Sequence, residues 1–185
     1  MVHDILFGFW FFLPAALANM APIFAAKMPW LKRYSAPMDF GRSFRGKRIL
    51  GNHKTWRGLM SGIVVATIIF GAQKWAATHF GWAAWLTDQV DYSELSVLLM
   101  GLLFAIGALG GDAVKSFFKR QRGTPPGQKW FPWDQLDSII GTAVVIAPFV
   151  SLSFWQYVLF VVLWFSLHLA STYSGWLLGL KDSPV

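Results

Sequence analysis

The 185-residue chain contains no cysteine, which excludes a disulfide framework and any Cys-ligated metal site. Charge is scarce as well. Asp, Glu, Lys and Arg make up 14% of the residues, where soluble domains carry about 25%. Acidic side chains are the scarcer kind, nine against sixteen Lys and Arg, for a formal net charge of +7. Between Ser138 and Leu180 there is no Asp, Glu, Lys or Arg. At about 1.5 Å per helical residue that run is roughly twice what one bilayer crossing needs. Met1 to Asp4 carries no Lys or Arg and no small-residue cleavage site follows, so a cleaved secretory signal is not expected.

What is present fits a membrane solvent. Hydrophobic residues reach 55%, with 17 Phe and 11 Trp; such aromatics suit lipid-facing surfaces and interfacial belts. The sequence predicts an all-α integral membrane protein with five transmembrane helices in one domain, residues 1–185. The first three spans run Ile5–Ala26, Trp56–Ala77 and Leu95–Val114, and the charge-free run divides near Ser151–Ser153, after Pro148, into a fourth and a fifth. Loops of about 27–55 and 115–133 collect the basic residues: nine from Lys27 to Arg57, then Lys115, Lys119, Arg120, Arg122 and Lys129. Between spans two and three lie Asp88, Asp91 and Glu94 instead. Five spans place both basic loops and Lys181 on one side, the cytoplasm by the positive-inside rule, with the N-terminus out and the C-terminus in.

Three carboxylates stand at the inner ends of spans: Asp112, Asp134 and Asp137. Charge inside a membrane segment is costly and marks a functional hypothesis. Asp134 and Asp137, three apart, share a helix face, as do Asp112, Lys115, Ser116 and Lys119 at offsets of three, four and seven. Oxygen donors of this kind suit Mg²⁺, one or two ions, together with substrate phosphates. The competing reading makes Asp134 a helix cap, pairs Asp137 with a nearby Arg, and makes the basic stripe an anchor at the membrane surface. The first loop contains Gly41-Arg42-Ser43-Phe44-Arg45-Gly46-Lys47-Arg48, close to a Walker A loop, but Arg48 takes the place of the Ser/Thr and no strand precedes it. A basic loop bracketed by glycines still offers cations and backbone N–H groups to phosphate. Asn19, with Pro14 and Pro22 in span one, and His168 in span five read first as packing groups.

In order along the chain, Leu13-Pro14-Ala15 with Asn19 and Pro22, Pro37-Met38-Asp39-Phe40-Gly41, Phe44-Arg45-Gly46-Lys47-Arg48, His53-Lys54-Thr55-Trp56-Arg57-Gly58, Gly111-Asp112, Lys115-Ser116, Lys119-Arg120, Pro126-Gly127, Asp134-Gln135-Leu136-Asp137, His168 and Gly179-Leu180-Lys181 form a specific set. The set resembles the CDP-archaeol synthase family, within the cytidylyltransferases that include CDP-diacylglycerol synthase. That resemblance implies transfer of a cytidylyl group from CTP to a membrane lipid glycerophosphate, archaetidic-acid-like or phosphatidate-like, with Mg²⁺, at a site facing the cytoplasm of the inner membrane. It implies CTP, the lipid phosphate and membrane lipids as partners, and no nucleic acid. By position, Asp112, Asp134 and Asp137 would hold metal and, with Lys115, form the catalytic group. Arg45, Lys47, Arg48, His53, Lys54, Thr55, Arg57, Ser116, Lys119 and Arg120 would bind substrate. Two positions depart from the pattern: Ser171-Thr172 stands where an Asn is expected, and Val185 follows Pro184. Residue pattern alone leaves two other classes open, an ion or solute transporter using the aspartates and a non-catalytic binder of anionic lipid.

Overall fold

A computed structural model describes residues 1–125, 128–177 and 179. Pro126, Gly127, Leu180, Lys181, Pro184 and Val185, used in the sequence reading, lie outside the described residues. The elements are α1 (Val2–Lys27), the two-residue strands β1 (Ser43–Phe44) and β2 (Lys47–Arg48), α2 (Trp56–His79), α3 (Gly81–Leu86), α4 (Val97–Gln121), α5 (Trp133–Ile146) and α6 (Phe154–Leu177). Among the described residues, α1, α2, α4 and α6 are long and apolar enough to cross a membrane. The charge-free run does divide where Pro148 and Ser151–Ser153 predict, between α5 and α6. At 14 residues, however, α5 rises only about 21 Å, less than the roughly 30 Å of hydrocarbon. The short α3 was not anticipated, and α4 runs on to Gln121, so Lys115, Ser116, Lys119 and Arg120 ride on a helix.

The outward faces are apolar. Val64 and Ile68, one turn apart on α2, are 55% and 63% exposed. Stripes of this kind are rare on monomers in water and ordinary against lipid. Inside, Phe7, Phe11, Phe12, Phe70, Phe104 and Phe160 are fully buried and pack ring against ring, edge to face with centroids 5.3 Å apart for Phe11–Phe104 and 5.4 Å for Phe12–Phe160. This aromatic core fills the half of the bundle near the start of α1. The three aspartates occupy the other half.

Two buried polar groups help hold the bundle, one in each half. Pro14 lacks an N–H, so it leaves the carbonyl of Trp10 without its helical donor. Gln73, 2% exposed on α2, reaches across and donates Nε2 to that oxygen at 2.5 Å. The second group is Asp39 in the first loop. Its carboxylate accepts from the N–H groups of Gly41 (3.0 Å), Leu50 (2.9 Å) and Gly51 (3.2 Å) and from Arg48 (2.9 Å). Positive φ angles at Phe40 and Gly41 turn the chain round it, and those at Arg45 and Gly46 close the β1–β2 hairpin. Met38 N–H to Lys54 O (2.7 Å) and Trp56 N–H to Ala36 O (3.1 Å) then lash the loop to the start of α2, where the Thr55 hydroxyl accepts from Gly58 N–H.

Helices α4 and α5 approach until their backbones touch. A Cβ at Gly111 would lie 2.1 Å from Asp137 O, and one at Gly141 2.3 Å from Gly107 O. Small residues allow this separation in a membrane bundle, and it sets Asp137 beside Asp112.

Gln73→Leu should lower the thermal midpoint in detergent, and Pro14→Ala should remove most of that cost by restoring the helical donor. A double-mutant cycle checks this, with a coupling of about 1 kcal/mol expected. Burial alone would raise the Asp39 carboxyl, but the Leu50 N–H, Arg48 and the Gly41 and Gly51 N–H groups outweigh it and hold it far below the usual carboxylate range. Its contribution to loop stability is therefore present above about pH 4, the unfolded value, and is lost as pH falls further. Amide exchange protection at Leu50 and Gly51, corrected for intrinsic rate, should decline over that acid window and be absent at every pH in Asp39→Ala.

Candidate active site

The C-terminal half of α4 presents Asp112, Lys115, Ser116 and Lys119 along one stripe, and the first turns of α5 present Asp134 and Asp137. The close α4–α5 contact brings the two sets together on one atom. Lys115 Nζ lies 3.1 Å from Asp112 Oδ1, 3.0 Å from Asp134 Oδ1 and 2.6 Å from Asp137 Oδ2. Two further ammonium groups flank it. Lys119 contacts both oxygens of Asp134 at 3.1 Å, and Lys54, delivered by the first loop, binds Asp112 Oδ2. Backbone donors fix the carboxylates: Trp130 N–H to Asp134 Oδ2 and Ser138 N–H to Asp137 Oδ1, each 2.6 Å. Three ammonium groups thus face three carboxylates. The Asp137 side chain is 7% exposed and that of Lys115 14%. In such surroundings removing one partner strands a charge.

Lys115 is a shared wall of three cavities. On the loop side, a polar pocket of about 270 Å³ is lined by Gly51, Asn52, His53, Ser116, Lys119 and Arg120. Behind it, a pocket of about 340 Å³ reaches from Asn19 and Pro22 of α1, past His53 and Thr55, to all three aspartates. On the outer surface an apolar groove of about 600 Å³ runs along α4 and α5 between Ile106, Val114, Ile140 and Val144. It ends at Lys115, Asp137, Arg122 and Trp130. Gly110 lines this groove, and a Cβ there would meet nothing within 4 Å. A separate cavity between α1, α5 and α6, also about 600 Å³, contains Asn19, Gln135 and His168.

Of the residues expected from sequence, Asp112, Lys115, Asp134, Asp137, Lys54 and Lys119 converge, and His53, Ser116 and Arg120 line the adjoining pocket. Asp137 pairs with Lys115 and not with an Arg. The others are placed differently. Arg48 is bound to Asp39, Lys47 donates to Gln121 O at 2.6 Å, and Thr55 uses its hydroxyl to cap α2 while lining the deep pocket. Arg57 donates to the carbonyls of Leu31 and Lys32 beside an apolar cavity between α1 and α2, and Arg45 sits over the Phe44 ring at the hairpin tip. Asp39 gained no role from sequence reasoning, although the Asp-Phe-Gly turn was an available signal. The small-residue run Gly107-Ala108-Leu109-Gly110-Gly111 ahead of Asp112 does signal close approach of a backbone or a ligand, without telling which glycine meets which.

Among the described residues no set of three acidic or histidine side chains forms a ready metal cage. The donors nonetheless suit a hard divalent cation: three carboxylates on two helices point at one position, and a cation, the Lys115 ammonium, stands there. Their spacing is that of N–H···O contacts and is wider than the roughly 2.1 Å of Mg–O bonds.

The family model for CarS-like CDP-archaeol synthases matches residues 1–185. A CDP-archaeol synthase of Thermococcus onnurineus is 31% identical over 185 residues, covering 99% of this chain and 98% of that protein. One from Methanospirillum hungatei is 37% identical over 181 residues, covering 93% and 99%. A solved intramembrane enzyme for archaeal membrane lipid biosynthesis superposes with a TM-score of 0.66 at 28% identity, covering 88% of this chain and 90% of that one. With its whole length matched by the family model and its relatives covered almost end to end, the chain belongs to the CDP-archaeol synthase family.

Proposed function

We propose that this protein transfers the cytidylyl group of CTP to a membrane lipid glycerophosphate of archaeol type, releasing pyrophosphate, at the Lys115 cluster. The observation that carries the reading is that one charged centre borders both a basic polar pocket and an apolar groove. A water-borne triphosphate and an apolar-tailed phosphate can therefore meet at Lys115 from opposite sides. The positive-inside pattern supports a cytoplasmic active site in a five-span arrangement, with α5 as the short fourth crossing.

In the reaction a phosphate oxygen of the lipid attacks the α-phosphorus of CTP. A new P–O–P link forms and the bond to the departing pyrophosphate breaks. No enzyme nucleophile is needed, so catalysis rests on position and charge. Lys54, Lys119 and Arg120 hold the β- and γ-phosphates, with Ser116 and His53 as hydrogen-bonding groups in the same pocket. Arg122 receives the lipid phosphate at the end of the groove, and Lys115, shared by the groove and the polar pocket, offsets repulsion between the two anions. Asp112, Asp134 and Asp137 would hold Mg²⁺, which when bound neutralises charge on the reacting phosphates. The lipid chains lie along α4 and α5 over Gly110. The transporter reading has no counterpart here: the charges sit at one end of the bundle and not at its middle, where transport sites lie.

Purified protein should form pyrophosphate only when CTP and a lipid phosphate are both supplied. Asp112→Asn should lose at least about a hundredfold in kcat while eluting and melting as a folded protein; undiminished turnover in that variant would refute the assignment. Gly110→Leu puts a side chain into the groove from a position where the Cβ has open space. It should raise KM for the lipid about tenfold and leave KM for CTP unchanged, as steady-state kinetics with each substrate varied will show.

A further inference from the structure

The cation at the focus of the three aspartates belongs to the chain itself. We propose that the Lys115 ammonium is a resident placeholder: it bars free divalent metal from the carboxylate centre and yields its position only when a polyphosphate arrives to receive it. The inference rests on the functional reading above for the identity of that polyphosphate, and on geometry for the rest.

Lys115 contacts one oxygen from each of Asp112, Asp134 and Asp137 at 2.6–3.1 Å, so it sits at their common focus. A divalent ion at that focus and this ammonium cannot coexist. Nor is the centre short of positive charge, because Lys54 and Lys119 already neutralise Asp112 and Asp134 from outside. Metal alone would therefore have to expel a paired ammonium from a mostly buried position and leave it without a partner, which is unfavourable.

Of the three cavities that Lys115 borders, the polar one is where an anion can receive it. The lysine's flexible four-carbon stem lets the ammonium swing, and besides the groove and the deep pocket the residue lines the polar pocket that holds Ser116, Lys119 and Arg120. Empty, that pocket repels a further cation. Filled by a triphosphate, it attracts one. The same displacement that opens the carboxylates thus delivers Lys115 to the phosphates. Metal and nucleotide become strongly synergistic ligands, each raising the affinity of the other by one common factor.

The test is a titration of detergent-purified full-length protein with Mn²⁺ alone, followed by electron paramagnetic resonance, then repeated with CTP present and no lipid. Wild type should bind Mn²⁺ at least about thirtyfold more tightly with CTP than without. Lys115→Met removes the placeholder and leaves three carboxylates with two lysines. It should bind Mn²⁺ alone at least about tenfold more tightly than wild type, with the dependence on CTP largely gone. Its thermal midpoint should be lowered without metal and recovered by Mn²⁺ alone, whereas Mn²⁺ alone leaves wild type unmoved. Lys115→Gln is a second variant with the same expectation. Tight binding of Mn²⁺ alone by wild type overturns the proposal whether or not the variants fold, and so does an unchanged CTP requirement in a folded variant. Failure of the functional reading looks different: CTP would not bind or turn over, while the gain of Mn²⁺ binding in Lys115→Met would stand.

Discussion

The site depends on a single ammonium shared among three carboxylates that come from two helices. Without Lys115, the negative charges of Asp112, Asp134 and Asp137 would repel each other in a poorly hydrated place, and the ends of α4 and α5 would have reason to part. With it, the approach of the two helices is closed electrostatically at one end and sterically along its length by Gly107, Gly111 and Gly141. The remaining architecture serves this contact. The aromatic core stiffens the far half of the bundle, Gln73 satisfies the carbonyl that Pro14 releases, and Asp39 folds the first loop so that Lys54 reaches Asp112.

A membrane enzyme with one water-soluble and one lipid substrate needs a place where the two environments meet. Here that place is a side chain's width across: the polar pocket and the apolar groove share Lys115. Aromatic groups mark the boundary, with Trp130 and Trp133 lining the groove and Arg122 lying over the Trp130 ring at 4.8 Å. Family membership supplies the chemistry and the geometry supplies a route for each reactant.

Much of this was legible in the sequence, because membrane burial makes charge conspicuous. The asymmetry of basic residues, the helical stripe of Asp112, Lys115, Ser116 and Lys119, and the pairing of Asp134 with Asp137 all follow from spacing alone. Partner choice did not follow. Arg48 and Arg57 look as suited to phosphate as Lys54, yet one is consumed by Asp39 and the other by carbonyl oxygens of the first loop. These pairings arise from turns at Phe40, Gly41 and Gly51 that set loop direction over distances no periodicity encodes. The role of Gln73 was hidden for a related reason, since its acceptor exists only because of a proline 59 positions earlier on another helix. Gly110 is a glycine among several in α4; only the placement of α5 separates it, facing the groove, from Gly111, pressed on Asp137.

If chemistry occurs where Lys115 gathers the three aspartates, anomalous scattering from crystals grown with Mn²⁺ and CTP will locate it. A manganese peak is expected among Asp112, Asp134 and Asp137, with the Lys115 ammonium withdrawn onto the nucleotide phosphates. A peak remote from these carboxylates, or Lys115 still seated among them with nucleotide and metal bound, would contradict it.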